Sequence, residues 1–134
     1  MKNKNHDDLI REAVTIRDKA HAPYSRFRVG AALKGKSGKI FSGVNVESSS
    51  YGLSVCAERN AVAAAVSQGE KSFEVIAVSS LGGVSPCGAC RQVLWDVCGD
   101  IDVIMTDENG IITRQMKMSE LLPAAFEEKN LAHE

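Results

Sequence analysis

An α/β fold, a three-layer α/β/α sandwich around one five-stranded mixed sheet, is predicted by two observations. Segments with apolar residues at helical spacing alternate along the chain with short apolar or alternating runs that read as strands. The first two runs and the last two are separated by Lys36-Ser37-Gly38 and Asp107-Glu108-Asn109-Gly110, turn sequences that join antiparallel strands. A hairpin followed by helices alternating with strands places helices on the faces of one sheet. The 134 residues carry no linker, repeat or low-complexity stretch, so a single domain spanning 1–134 is expected, large enough to fold without disulfides.

Leu9, Ala13, Ile16 and Ala20 recur at helical spacing behind Asp7 and Asp8, which suit a helix N-terminus, and predict a helix over 7–20 that Pro23 closes. Strands are predicted over 27–33 and 39–46. The alanine-rich stretch 56–68, with Gly69 just beyond it, reads as a helix. A buried strand over 73–80, the loop Leu81-Gly82-Gly83 and a helix over 88–98 capped by Gly99 follow. Strands over 101–106 and 111–115 and a short helix over 119–122, ahead of Pro123, complete the pattern.

A net charge of -1 with acids and bases interspersed offers no basic face for a phosphate backbone, which argues against large nucleic acid as substrate. The first eight residues lack the apolar stretch of a signal peptide, and no run approaches a membrane span. A cytoplasmic protein with no membrane partner is expected. In that setting four cysteines point to a metal or to catalysis before disulfides. A bare Cys-x-x-Cys could also be a redox pair, though such a site would require neither Cys56 nor Glu58.

Cys56-Ala57-Glu58-Arg59 and Pro86-Cys87-Gly88-Ala89-Cys90 carry the chemistry. Three soft ligands, Cys56, Cys87 and Cys90, fall one short of a closed structural zinc site, and a catalytic site keeps that fourth place for water. Cys87 and Cys90 lie one turn apart at a helix start, where the dipole favours thiolates, and Cys56 opens the preceding helix. Glu58, two residues after Cys56, can face the same pocket only if Cys56 sits at the very first turn. In such a site the carboxylate is a general acid and base toward a water that the metal acidifies. Three thiolates leave a Zn2+ cluster at a formal charge of -1, which a neighbouring cation would offset. Arg59 is the candidate for hydrogen bonding to the sulfurs, against the plainer reading of a surface arginine.

These motifs match the deaminase signature, a Cys or His, any residue and Glu, followed by Pro-Cys-x-x-Cys. With Ala22-Pro23-Tyr24-Ser25, 27–33, 43–47 and Glu120-Leu121-Leu122-Pro123, the chain resembles, over almost its whole length, the cytidine deaminases that act on free nucleosides. Cysteine as the first ligand distinguishes that branch from relatives with histidine there. The resemblance implies a cytidine deaminase-like fold, one zinc per subunit and hydrolytic deamination of cytidine and deoxycytidine to the uridine forms with release of ammonia, as in pyrimidine salvage. It also implies a homotetramer whose pockets are completed by neighbouring subunits.

Residue by residue, the resemblance assigns Glu58 to proton transfer, and Asn45 and Glu47 to the ribose hydroxyls. Phe27 would pack on the pyrimidine, the Ala57 backbone would contact the base, and Tyr51 and Phe126 would act across subunits. Read without it, Asn45 and Glu47 are an ordinary strand end and Phe27 and Phe126 are core residues. Cys98 matches no ligand position and reads as a small buried hydrophobe. His6, His21 and His133 read as solvated. The 79–84 loop departs from the family pattern and bears on fine substrate preference. Two rivals remain: a deaminase of a cytosine-nucleoside antibiotic such as blasticidin S, which Glu47 argues against, and a non-catalytic zinc module, which would need Cys98 as fourth ligand.

Overall fold

The structure is a computed structural model that describes residues 5–131. Its elements are α1 (Asp7–Ile16), β1 (Val29–Gly35), β2 (Ile40–Val44), α2 (Ala57–Ser67), β3 (Phe73–Ser80), α3 (Gly88–Cys98), β4 (Asp102–Thr106), β5 (Ile112–Lys117) and α4 (Met118–Leu121). The sheet order is β2-β1-β3-β4-β5. Only β3 and β4 are parallel, and α3 makes the crossover between them; the other neighbours are antiparallel. The five-stranded mixed sheet of the sequence reading is present.

The three central strands are buried on both faces, and their side chains divide by alternation. Leu33, Ile76, Val78, Val103 and Met105 join α2, α3 and α4 in the main core. Ala32, Val75, Ala77 and Ile104 meet Leu9 and Ala13 of α1 on the other face. One helix therefore covers one side of the sheet and three cover the other.

Two glycines allow helices to lie directly on strands. A Cβ at Gly30 would run into the Ala13 carbonyl and Arg17 backbone, and one at Gly43 into the Ala57 carbonyl and Ala61 amide. The second contact sets how closely the start of α2, with its functional side chains, approaches β2.

Tertiary pairing overrides local signals at two places. The helix expected over 7–20 stops at Ile16, continues as a 3-10 turn over Arg17–Lys19, and becomes extended at Ala20. The chain is drawn off the helix because the His21 amide donates to the Asn45 carbonyl while the Glu47 amide donates to the His21 carbonyl. Strand β1 begins at Val29, two residues later than expected, because the Asn45 side chain takes the neighbouring backbone. Its Nδ2 donates to the Phe27 carbonyl at 2.8 Å, and its Oδ1 accepts the Val29 amide at 2.9 Å.

His21 is exposed as expected, whereas His6 is half-buried at the N-terminus of α1 with its Nδ1 enclosed and without a partner among the described residues. The expectation of a solvated His6 is corrected accordingly: its place at the helix start folds the ring against the protein. His133 lies outside the described residues. Among the described residues no helix is long and apolar enough to cross a membrane.

Candidate active site

Cys56 and Cys87 are the N-cap residues of α2 and α3, each with extended backbone. The unpaired amides and positive end of each helix attract negative charge to these positions. Cys90, buried in the first turn of α3, completes a cluster whose three sulfurs lie within 4.8 Å of one another. The Cys56 and Cys87 sulfurs are 3.8 Å apart and those of Cys87 and Cys90 3.5 Å. Tetrahedral zinc with Zn–S of ~2.3 Å requires sulfur–sulfur edges of about 3.8 Å, so the donor set fits that ion.

The cluster already shares its protons unevenly. The Cys56 thiol is pulled down to about 5, first by its hydrogen bond with Cys90 and then by Arg59 and Cys87 against the cost of burial. Cys90 is pushed up, first by that same bond and then by burial. Arg59 Nη2 lies 3.7 Å from the Cys56 sulfur, so the cation expected beside the cluster is in place. Its Nε is buried without a partner among the described residues. Cys98 is outside the cluster, packed at the edge of the main core with its thiol pushed up to about 12 by burial. The fourth ligand that a closed structural site would need is therefore not supplied by Cys98.

Glu58 is the one buried carboxylate among the described residues, at 5% exposure. Burial is the main cause that pushes it up to about 7, with the Cys56 charge adding and a backbone hydrogen bond and Arg59 opposing. Because Cys56 is the cap and Glu58 the second helical residue, the pair escapes the opposed orientation that this spacing would give deeper in a helix. Both line a cavity of about 310 Å³ together with Cys87, Phe27, Asn45 and Glu47. Val29, Val78 and Val84 supply apolar wall.

Tyr51 borders a second hollow of about 370 Å³ with Tyr24, and the two hollows share Ser25 and Glu47. The Tyr24 and Tyr51 rings meet edge-on with centroids 6.5 Å apart. Ala57 is fully buried at the first position of α2. Phe126 is not in the cleft of its own chain; it is 57% exposed and lines a separate hollow with Trp95 and Glu127. The segment is held there by Gln92 Nε2 donating to the Phe126 carbonyl at 2.9 Å and Trp95 Nε1 donating to Glu127 at 3.0 Å.

Several residues at the site were not singled out from the sequence. Ser25 binds Glu47, and Ser85 lines the cleft next to Val84, which belongs to the loop expected to bear on substrate preference. Arg91 donates to the Pro86 carbonyl at 2.8 Å and to the Leu121 carbonyl at 2.7 Å, which fixes the segment entering Cys87 against α4. Asn60 ties α2 to the Val44 carbonyl at 2.7 Å. Position was the available signal, since Arg91 follows Cys90 directly and Ser25 ends the Ala22–Ser25 motif.

Residues 3–106 match the family model for the cytidine and deoxycytidylate deaminase zinc-binding region. The chain belongs to this deaminase family. It is 44% identical over 130 residues to the cytidine deaminase of Sporosarcina psychrophila, a match covering 95% of either chain. The crystal structure of cytidine deaminase from Burkholderia pseudomallei superposes with a TM-score of 0.87 at 44% identity, covering 92% of this chain and 100% of that one. The blasticidin-S deaminase of Bacillus cereus is 34% identical over 112 residues, 76% of this chain and 79% of that one. Similarity to this deaminase is lower than to the two cytidine deaminases and does not favour the antibiotic reading.

Proposed function

We propose that the protein is a zinc-dependent cytidine deaminase that converts cytidine and deoxycytidine to uridine and deoxyuridine with release of ammonia. The observation that carries this reading is the buried Glu58 carboxyl beside three clustered sulfurs, in a cavity of about 310 Å³ also lined by Phe27, Asn45 and Glu47. Family membership and the named relatives support the same activity.

Cys56, Cys87 and Cys90 would hold the ion, with Arg59 offsetting the charge of their thiolates. A zinc ion held there supplies Lewis acidity that makes a water nucleophilic near neutral pH. Glu58, pushed up to about 7, is matched to accept and donate a proton in that range. It takes one proton of the attacking water and delivers it to N3 of the cytosine as C4 is attacked, then takes the remaining proton from the hydroxyl now on C4 and passes it to the amine, which leaves as ammonia when the C4–N bond breaks. Phe27 packs on the pyrimidine, the Ala57 backbone meets the base, and the valine walls exclude bulk water. Asn45 and Glu47 receive the ribose hydroxyls, and a buried hydroxyl left unpaired would cost ~1 to 3 kcal/mol.

One domain of 134 residues carries this chemistry, in the cytoplasm. The exposed Tyr51 and Phe126 fit a homotetramer in which each subunit lends aromatic side chains to its neighbours' pockets. Purified protein incubated with cytidine should release ammonia, lose that activity on chelation and regain it with zinc. Blasticidin S turned over faster than cytidine would transfer the reading to the antibiotic deaminases.

A further inference from the structure

A further cavity, of about 590 Å³, lies behind the segment that walls the cleft, and Arg17, His21, Arg26 and Arg28 line it without any carboxylate. Such a concentration of guanidinium groups is unusual in a chain of net charge -1. Among the described residues the one hydrogen bond from the three guanidinium groups runs from Arg17 Nε to the Arg28 carbonyl at 3.0 Å. None of the three forms an ion pair among the described residues. Among the described residues the terminal nitrogens of Arg17 and all the side-chain donors of Arg26 and Arg28 therefore have no partner.

The backbone holds this arrangement against a conformational cost. Arg26 has φ of 60°, in the left-handed region that side chains seldom occupy. Its amide donates to the Ala22 carbonyl at 2.9 Å, and the preceding Ser25 is fixed to Glu47. Strain that the surroundings enforce is found at binding and catalytic segments. Ser25 and Phe27 line the nucleoside cleft while Arg26 and Arg28 line the cavity behind it, so one short segment separates two sites.

We propose that this cavity is a binding site for a phosphate-bearing anion, distinct from the nucleoside cleft. Planar guanidinium forks match phosphate oxygens with two donors at a time, and three around one hollow suit a diphosphate or triphosphate chain better than a single phosphate. A free anion and the phosphate chain of a nucleotide present the same chemistry to these arginines.

The test is calorimetric titration of the zinc-loaded protein with inorganic phosphate, pyrophosphate and adenosine triphosphate, whose base is not a pyrimidine. Saturable binding in which pyrophosphate exceeds phosphate supports the site. Equal affinity of pyrophosphate and adenosine triphosphate identifies a free anion, and preference for the latter a nucleotide. The Arg26→Ala/Arg28→Ala variant should bind at least about tenfold more weakly, since charge-assisted hydrogen bonds are lost. An Arg17→Ala variant provides a second reading if the double variant does not fold. Saturating uridine should leave anion binding in place. Absence of saturable heat, unaltered affinity in both variants, displacement by uridine, or a double variant whose only change is a different subunit count would each overturn the proposal. The last outcome would mark the arginines as a contact for a second copy. Binding is read without turnover, so a failure here leaves the deaminase reading standing, and loss of cytidine turnover would leave this site intact.

Discussion

The Ser25 hydroxyl donates a hydrogen bond to the Glu47 carboxylate and accepts the Phe27 amide at 3.0 Å. The other carboxylate oxygen accepts the Tyr24 and Ser25 amides at 3.1 Å each. One hydroxyl thus couples the carboxylate proposed for the ribose to the ring proposed for the base. Ser25→Ala should raise KM for cytidine with little change in kcat, because the hydrogen bond that holds the Glu47 carboxylate is lost while the reacting groups are untouched. Ser25→Thr, which keeps the hydroxyl, should restore much of the loss. A kcat that falls with KM unchanged would refute this positioning role.

The same contact sets a pH dependence. Glu47 is held below the ordinary carboxylate range, chiefly by the Ser25 hydroxyl, then by the backbone amides. A depressed carboxylate keeps its anionic contacts fully above its ordinary pKa and loses them as pH falls through the lowered value. Removing the hydroxyl raises that value, so the loss comes at higher pH. In Ser25→Ala the acid-side weakening of cytidine binding should therefore move to higher pH than in the wild type, as measured by kcat/KM and KM profiles. Coincident acid limbs would contradict it.

Glu58→Gln should leave zinc content near one per subunit while kcat falls by ~10² to 10⁴, the usual contribution of a positioned general acid and base. The amide is nearly isosteric and suits the buried place at 5% exposure better than a charge would. Metal analysis beside single-turnover kinetics decides the matter, and near-normal turnover would remove Glu58 from proton transfer.

Arg59→Ala should weaken zinc retention by ~10- to 100-fold in competition with a chelator, the usual effect of losing a group that orients a metal ligand. Arg59 Nη2 sits 3.7 Å from the Cys56 sulfur and helps hold that thiol down to about 5. Arg59→Lys keeps a charge and should recover part of the affinity. Unchanged retention in the alanine variant would return Arg59 to the status of a helix-surface residue.

The sheet and both metal-bearing helices were legible in the sequence because alternation, Gly69 and Gly99 mark their limits locally. The strand over 73–80 and the helix over 88–98 have the predicted bounds. The early stop of α1 at Ile16 and the late start of β1 at Val29 were not legible, because both depend on Asn45 and Glu47 meeting backbone more than fifteen residues away. At the site, the condition that Cys56 and Glu58 face one pocket placed Cys56 at the very first turn of its helix, and it is the N-cap. Ser25, Arg91 and the arginine cavity bring together residues whose sequence spacing has no chemical meaning. Phe126 is a further case: the sequence can name it, but the side chain lies outside the cleft of its own subunit, and only an assembly could give it a partner there.

The approach of α2 to β2 is the structural condition for all of this, and it rests on an absent side chain. At Gly43 a Cβ would collide with the Ala57 carbonyl and the Ala61 amide, both backbone atoms that cannot swing aside. Gly43→Ala should therefore lift the start of α2, lower stability by roughly 1 to 3 kcal/mol as overpacking does, and displace Cys56 and Glu58 together. Thermal melting and zinc content should fall in parallel. Gly88→Ala is the matched control: nothing lies within 4 Å of its Cβ position, and alanine is the better helix former at the start of α3. Equal stability in the two variants would show that the helix has room to move, and that the three-sulfur geometry is set by something other than the Gly43 contact.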